Sequence, residues 1–177
     1  MTTALETGTT PGLASPVAGL AEEELAVWRS FLHAHARLVR RLDDELQTGN
    51  GLSLGEYDAL VQLVNAPLRR LRMSVLAEKV LLSRSGITRL VDRLVTAGLV
   101  ERTVCPTDAR GAEAAITPAG VNALRTATAT HLAGVRRYFT SVIPAAEQAV
   151  IATALDRVAD SIGQPGGAAS LCGTPES

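Results

Sequence analysis

The sequence predicts a mainly α-helical fold with one small β wing. Three observations predict it. Apolar residues recur every three or four positions through most of the chain, the period of a helix with one buried face. Aromatics make up only 3% of the residues, so the 46% apolar content rests on Ala, Leu and Val, which pack helices through aliphatic side chains. The helical period breaks after Gly98, in a stretch that reads as two strands and a turn. With 177 residues and 20% charge, the chain suits one compact domain, or two lobes sharing a chain.

The elements follow in order. Residues 1–19 are Thr, Gly, Ala, Pro and Ser with little to bury, and read as a flexible arm; residues 163–177 read as a matching tail. Glu22 to Leu46 predicts a long helix, with Leu25, Trp28, Leu32, His35, Val39, Leu42 and Leu46 on its inner face. Glu22, Glu23 and Glu24 suit the positive end of its dipole, and "TGNG" from Thr48 ends it. Ser53 with Glu56 three residues on is a capping box that starts a second helix. Tyr57, Leu60, Val61 and Val64 form that helix's inner stripe, and Pro67 stops it. A short third helix covers about Ser74 to Val80.

Leu81 to Ser83 reads as a tight turn. Ser83 then caps a fourth helix, Leu82 can staple against Ile87, and Ile87, Leu90, Val91, Leu94 and Val95 make one apolar arc. Gly98 is the left-handed stop. "LVERTV" and "AEAAIT" flank "CPTDARG" as a two-stranded ribbon, whose register the poor alternation of the second strand leaves open. Thr117-Pro118 is an N-cap with proline at the first helical position. The helix it starts runs to about Val142, with Val121, Leu124, Leu132, Val135 and Phe139 inward. Pro144 opens a last helix to Ile162, lined by Val150, Ile151, Leu155, Val158 and Ile162.

Two short helices joined by a tight turn and followed by a ribbon spell a winged helix-turn-helix over residues 53–116. Charge agrees. The net charge is −1, yet Pro67 to Arg110 holds nine Lys or Arg against four acids, a local +5, while the remainder carries −6. On the fourth helix Ser85, Thr88, Arg89, Asp92 and Arg93 lie together opposite the apolar arc. Arg can take guanine by two parallel bonds, and hydroxyls can serve bases or phosphates. Ser83 and Arg84, at the helix start, are placed to hold a backbone phosphate. At the ribbon tip Arg110 can enter a minor groove, with Asp108 orienting its guanidinium. The plain alternatives are a solvated helix face and an ordinary hairpin turn.

The order of elements, with "SVLAEKVLLSRSGITRLVDRLVTAGLVERTVCPTDARG" and "ITPAG" inside it, resembles the MarR family of bacterial transcription regulators. The resemblance covers residues 22–162. Gly111 and small alanines stand where the family has bulky residues after the wing Arg, and Lys is almost absent. The resemblance implies a dimeric repressor that binds a pseudopalindromic operator in double-stranded DNA. Residues 22–47 and 117–162 would be the dimerisation helices. It also implies a small effector, aromatic by family resemblance, that releases the DNA. Trp28, His35 and Tyr57 combine an apolar body with a polar tip near where the family places its pockets; as plain core or dimer residues they need no such role. The long aliphatic stripes of the terminal helices separately favour a homodimer, since a single chain offers them few partners.

Other classes fare worse. No nucleophile–base pair, phosphate loop or carboxylate cluster suggests an enzyme, and no cofactor motif appears. His33 and His35 face different sides of one helix, and His131 has no partner nearby in sequence, so no metal is expected. Cys105, beside Pro106 in the wing, leaves open a redox-responsive regulator, although no basic activator accompanies it. Cys172 lies in the tail. A winged-helix protein–protein adaptor that binds no DNA is the remaining rival. No apolar run is long enough for a membrane span and no secretory signal is visible, so a cytoplasmic protein is expected.

Overall fold

The computed structural model describes residues 19–105 and 108–162, with backbone alone for residues 104, 105 and 108–111. The expected arm and tail lie outside the described residues, apart from Gly19. Two units are distinguished, one up to Arg37 and one from Leu38 onward. The helix α1 (Glu22–Asn50) begins in the first and continues into the second.

In the first unit three acids occupy the opening turn of α1. Glu24 accepts a bond from the Ala21 N–H at 2.7 Å, and Glu22 holds Arg29 at 2.6 Å. Trp28, Phe31 and His35 stack in series along the helix, each pair of ring centroids 5.9 Å apart. Trp28 is 52% exposed within the chain, and Val27, Phe31 and Leu32 are exposed with it.

The second unit is built around one core. α1 runs four residues past Leu46 and ends at Gly51, whose φ of +67° continues the backbone where a side chain would strain it. α2 (Leu54–Asn65) opens with the expected capping box: Ser53 Oγ accepts from the Glu56 N–H at 3.2 Å, and Glu56 Oε2 accepts from the Ser53 N–H at 2.9 Å. α3 (Met73–Lys79) and α4 (Arg84–Thr96) meet through a turn in which Leu81 takes a left-handed φ of +56°. Leu82 and Val95 stay exposed, although Ile87, Leu90, Val91 and Leu94 are buried as expected. Leu46, Leu60, Leu63 and Leu76 complete the centre.

The ribbon is β2 (Val100–Cys105) and β3 (Asp108–Ile116), and it gains a strand the sequence analysis lacks: β1 (Arg70–Arg72). The sheet is antiparallel with order β1-β3-β2. β3 is therefore the middle strand, and residues from both of its faces are buried near its end. Ala114 and Ile116 are buried on one side, and Glu113, only 2% exposed, on the other. That accounts for the poor alternation there, since clean alternation belongs to strands with one buried and one wet face.

α5 (Pro118–Val135) starts as expected, with Thr117 Oγ1 accepting from the Gly120 N–H at 3.0 Å. A π-helical turn, Arg136–Thr140, continues it. There the Tyr138 hydroxyl donates to Glu45 at 2.5 Å and accepts from Arg41 at 3.2 Å and Arg137 at 3.3 Å. That hydroxyl, aided by the two guanidiniums and opposed by burial, holds the Glu45 carboxyl below its usual range.

The expected inner stripes fare unequally. On α1 only Leu42 and Leu46 are buried; on α5 Leu124 is buried while Leu132 is exposed, as is Phe139 in the π-helical turn. α6 (Ala145–Ser161) has no buried residue: Val150 is 68% and Ile162, just past its end, 80% exposed. No described helix is long and apolar enough to cross a membrane.

Candidate nucleic-acid interface

The face opposite the α4 core arc is built from its start. Ser83 caps the helix by accepting from the Gly86 N–H at 3.1 Å, and its Oγ lies 3.2 Å from that of Ser85. Arg84, Ser85, Thr88 and Arg89 are all exposed. Arg84 and Arg89 have no side-chain ion-pair partner among the described residues. The Thr88 hydroxyl donates to the Arg84 carbonyl at 2.8 Å, which leaves its oxygen free to accept. The first two turns of α4 and its cap thus present two guanidiniums without an ion pair among the described residues and three hydroxyls, while Asp92, the acid on the same face one turn on, is paired elsewhere.

The last two members of the expected set are placed differently. Arg93 Nε donates to Glu56 Oε1 at 2.6 Å. Glu56, the buried acid of the α2 capping box, thus carries two tasks. Burial alone would push its carboxyl up; the bonds from Ser53 and Arg93 outweigh it and hold the carboxyl below its usual range. Asp92 pairs with Arg102 of β2, Oδ1 to Nη1 at 3.0 Å, and Arg102 also donates to the Thr88 carbonyl at 3.1 Å. Sequence reasoning missed Arg102. Its signal was its place in "GLVER", two residues after the buried Val100 and so on the strand face that meets α4.

Asp108 and Arg110 stand on β3, with Asp108 paired in register to Cys105. The side chains of Cys105, Asp108 and Arg110 lie outside the described residues. Among the residues considered for an effector, Trp28 and His35 flank Phe31 on α1. Tyr57 is a core residue: its ring lies 4.6 Å from that of His131, and its hydroxyl reaches Thr128 at 3.5 Å. His131 Nδ1 is buried and unbonded among the described residues, and burial, against the pull of Asp58, lowers its basicity.

A helix-turn-helix, a ribbon beside it and an Arg- and hydroxyl-bearing second helix define a winged helix-turn-helix protein. The sequence profile of the MarR family matches residues 50–111, which hold the helix-turn-helix, β2 and the start of β3. Solved structures extend the likeness beyond it. A MarR family transcriptional regulator from Streptomyces coelicolor, solved in complex with DNA, is 35% identical, with 81% of this chain and 93% of that one aligned at a TM-score of 0.76. AbsC, a second from the same organism, is 31% identical over 82% of this chain and 98% of its own, at a TM-score of 0.75. A third S. coelicolor member is 26% identical over 81% and 97%, at 0.71. No curated protein matches the chain. The chain belongs to the MarR family of transcriptional regulators.

Proposed function

We propose that the chain is a sequence-specific, homodimeric repressor that binds a pseudopalindromic operator in double-stranded DNA and works in the cytoplasm. The observation that carries this reading is the pair of unengaged guanidiniums, Arg84 and Arg89, on the exposed start of α4. A helix of this width fits the major groove, where Arg reads guanine. The relative from S. coelicolor solved with DNA supports it. Residues 53–116 form the DNA-reading lobe, with Ser83, Arg84, Ser85, Thr88 and Arg89 at the groove and Asp108 and Arg110 at the wing. Residues 22–47 and 117–162 form the dimer. The bare aliphatic face of α6 supports that assignment, because exposed patches of this kind mark interfaces.

A small aromatic effector releases the DNA by binding to the dimerisation helices, with Trp28 and His35 of α1 and, separately, Tyr57 of α2 as the residues considered for it. Bound there it would shift the spacing of the two half-sites. Titration of purified protein into duplex selected from a random pool tests the DNA reading. Tight binding that weakens steeply with salt is expected. Binding to no duplex at low salt would leave the protein–protein adaptor as the better reading. For the effector, ligands that raise the melting temperature should also displace the duplex.

A further inference from the structure

The start of α4 is free, but its end is tied down by two ion pairs from adjacent residues. Arg93 is held by Glu56 of α2, and Asp92 by Arg102 of β2. Arg102 grips α4 at two points: Nη1 on the Asp92 carboxylate at 3.0 Å, and Nη2 on the Thr88 carbonyl at 3.1 Å. The sheet register gives this grip a purpose. β1 pairs only with residues 113–115 of β3, and its last residue, Arg72, lies opposite Glu113, which in turn lies opposite Thr103. Beyond Thr103 the hairpin has two strands and, among the described residues, no third to steady it. Two-stranded hairpins hold their shape poorly alone, so their direction is set at the last anchored positions. Arg102 is one of those positions.

We propose that Asp92 and Arg102 form a latch that fixes the wing's angle to the recognition helix, so that Asp92 positions the wing and does not read bases. The proposal rests on the DNA-binding reading for its consequence, but not for its geometry. It makes an unusual prediction of sign. Asp92 is an exposed acid on the face that would meet phosphate. By Coulomb's law alone, Asp92→Asn should strengthen DNA binding. A latch requires the reverse, because the wing's contacts at the outer edge of each half-site become unsteady.

The test uses the full chain carrying Asp92→Asn, Arg102→Ala, Arg102→Lys or both Asp92→Asn and Arg102→Ala. Each is footprinted on the duplex that the wild type selects from a random pool. Asp92→Asn and Arg102→Ala should each lose protection at the outer base pairs, keep it at the groove read by α4, and bind about three- to fivefold more weakly, the scale of one exposed ion pair. The double variant should lose no more than either single one. Arg102→Lys should fall between, since an ammonium can attract Asp92 but lacks the planar fork that spans both acceptors. Tighter binding by Asp92→Asn with outer protection intact would overturn the latch. So would a loss confined to Arg102→Ala, which would make Arg102 a phosphate contact. Amide exchange in the free proteins separates the two readings: faster exchange along β2 and β3 in Asp92→Asn is expected whether or not any duplex is bound. Unchanged exchange would overturn the latch and leave the DNA reading standing.

Discussion

At the residue scale, neighbouring side chains on one helix face take different tasks according to what lies beside them. Arg89 has no ion-pair partner among the described residues, whereas Arg93, one turn on, is held by Glu56. Arg89→Ala is therefore expected to cost about 1–3 kcal/mol on the preferred duplex and to relax preference at one base pair per half-site. Arg110→Ala should weaken binding evenly across sequences and reduce the salt slope by about one per subunit. Isotherms on selected and scrambled duplex at several salt concentrations distinguish the two; equal losses on both duplexes for Arg89→Ala would mean that it touches only backbone. His131 makes a separate prediction. Its folded basicity is lowered by burial, so the unfolded chain binds the proton more readily. Its contribution to stability is full above the ordinary histidine value and is lost as pH falls through that value toward the lower folded one. His131→Gln should flatten the fall in melting temperature over that window, and an unchanged fall would show that other groups cause it.

At the element scale the turns decide how the helices and wing meet. Leu81 holds a left-handed conformation between α3 and α4 while 78% exposed, so its side chain returns little for the strain. Leu81→Gly should raise stability by about 0.5–1 kcal/mol, the left-handed cost less the extra freedom glycine loses. Chemical denaturation reads this directly, and a loss would show that the leucine packs. Gly120 in "ITPAG" has the opposite character. A Cβ there would collide with the Leu99 carbonyl oxygen and crowd Ile116 Cγ1 at 2.8 Å. The same carbonyl accepts the Thr117 N–H at 3.0 Å, and Thr117 Oγ1 donates to the Gly98 carbonyl at 2.8 Å. The start of α5 is thus seated on the link between α4 and β2, and only glycine lets it sit so close. Gly120→Ala should destabilise by about 1–3 kcal/mol, as overpacking does, with a matching drop in denaturation midpoint. A neutral result would mean that this seat yields easily.

At the scale of the whole molecule, the exposed aliphatic face of α6 is left without a partner among the described residues. If it pairs across a two-fold axis, sedimentation should give twice the 18.5 kDa chain mass at micromolar concentration. A chain ending at Pro144 should sediment as a monomer and bind duplex far more weakly, because two half-sites read together gain from linkage. A stable monomer with undiminished DNA affinity would remove the dimer from the proposal.

Much of the fold was legible because its signals are local. Ser53 with Glu56, Ser83, Gly98 and Thr117-Pro118 act within one helical turn of themselves, and each cap or stop stands where the spacing placed it. The exposed hydroxyls and arginines of α4 were legible for the same reason, since helical period alone sets which residues share a face. The tertiary structure decided what depends on chain brought in from elsewhere. β1 is three residues long and exists as a strand only because β3 lies beside it, and β3 lacks clean alternation where Glu113 is buried on one face and Ala114 and Ile116 on the other. Asp92 and Arg93 carry the same local pattern as Arg89. They differ because Arg102 and Glu56, ten and thirty-seven residues away in sequence, arrive within bonding distance. Spacing along the chain reports which side of an element a residue occupies; only packing reports what meets it there.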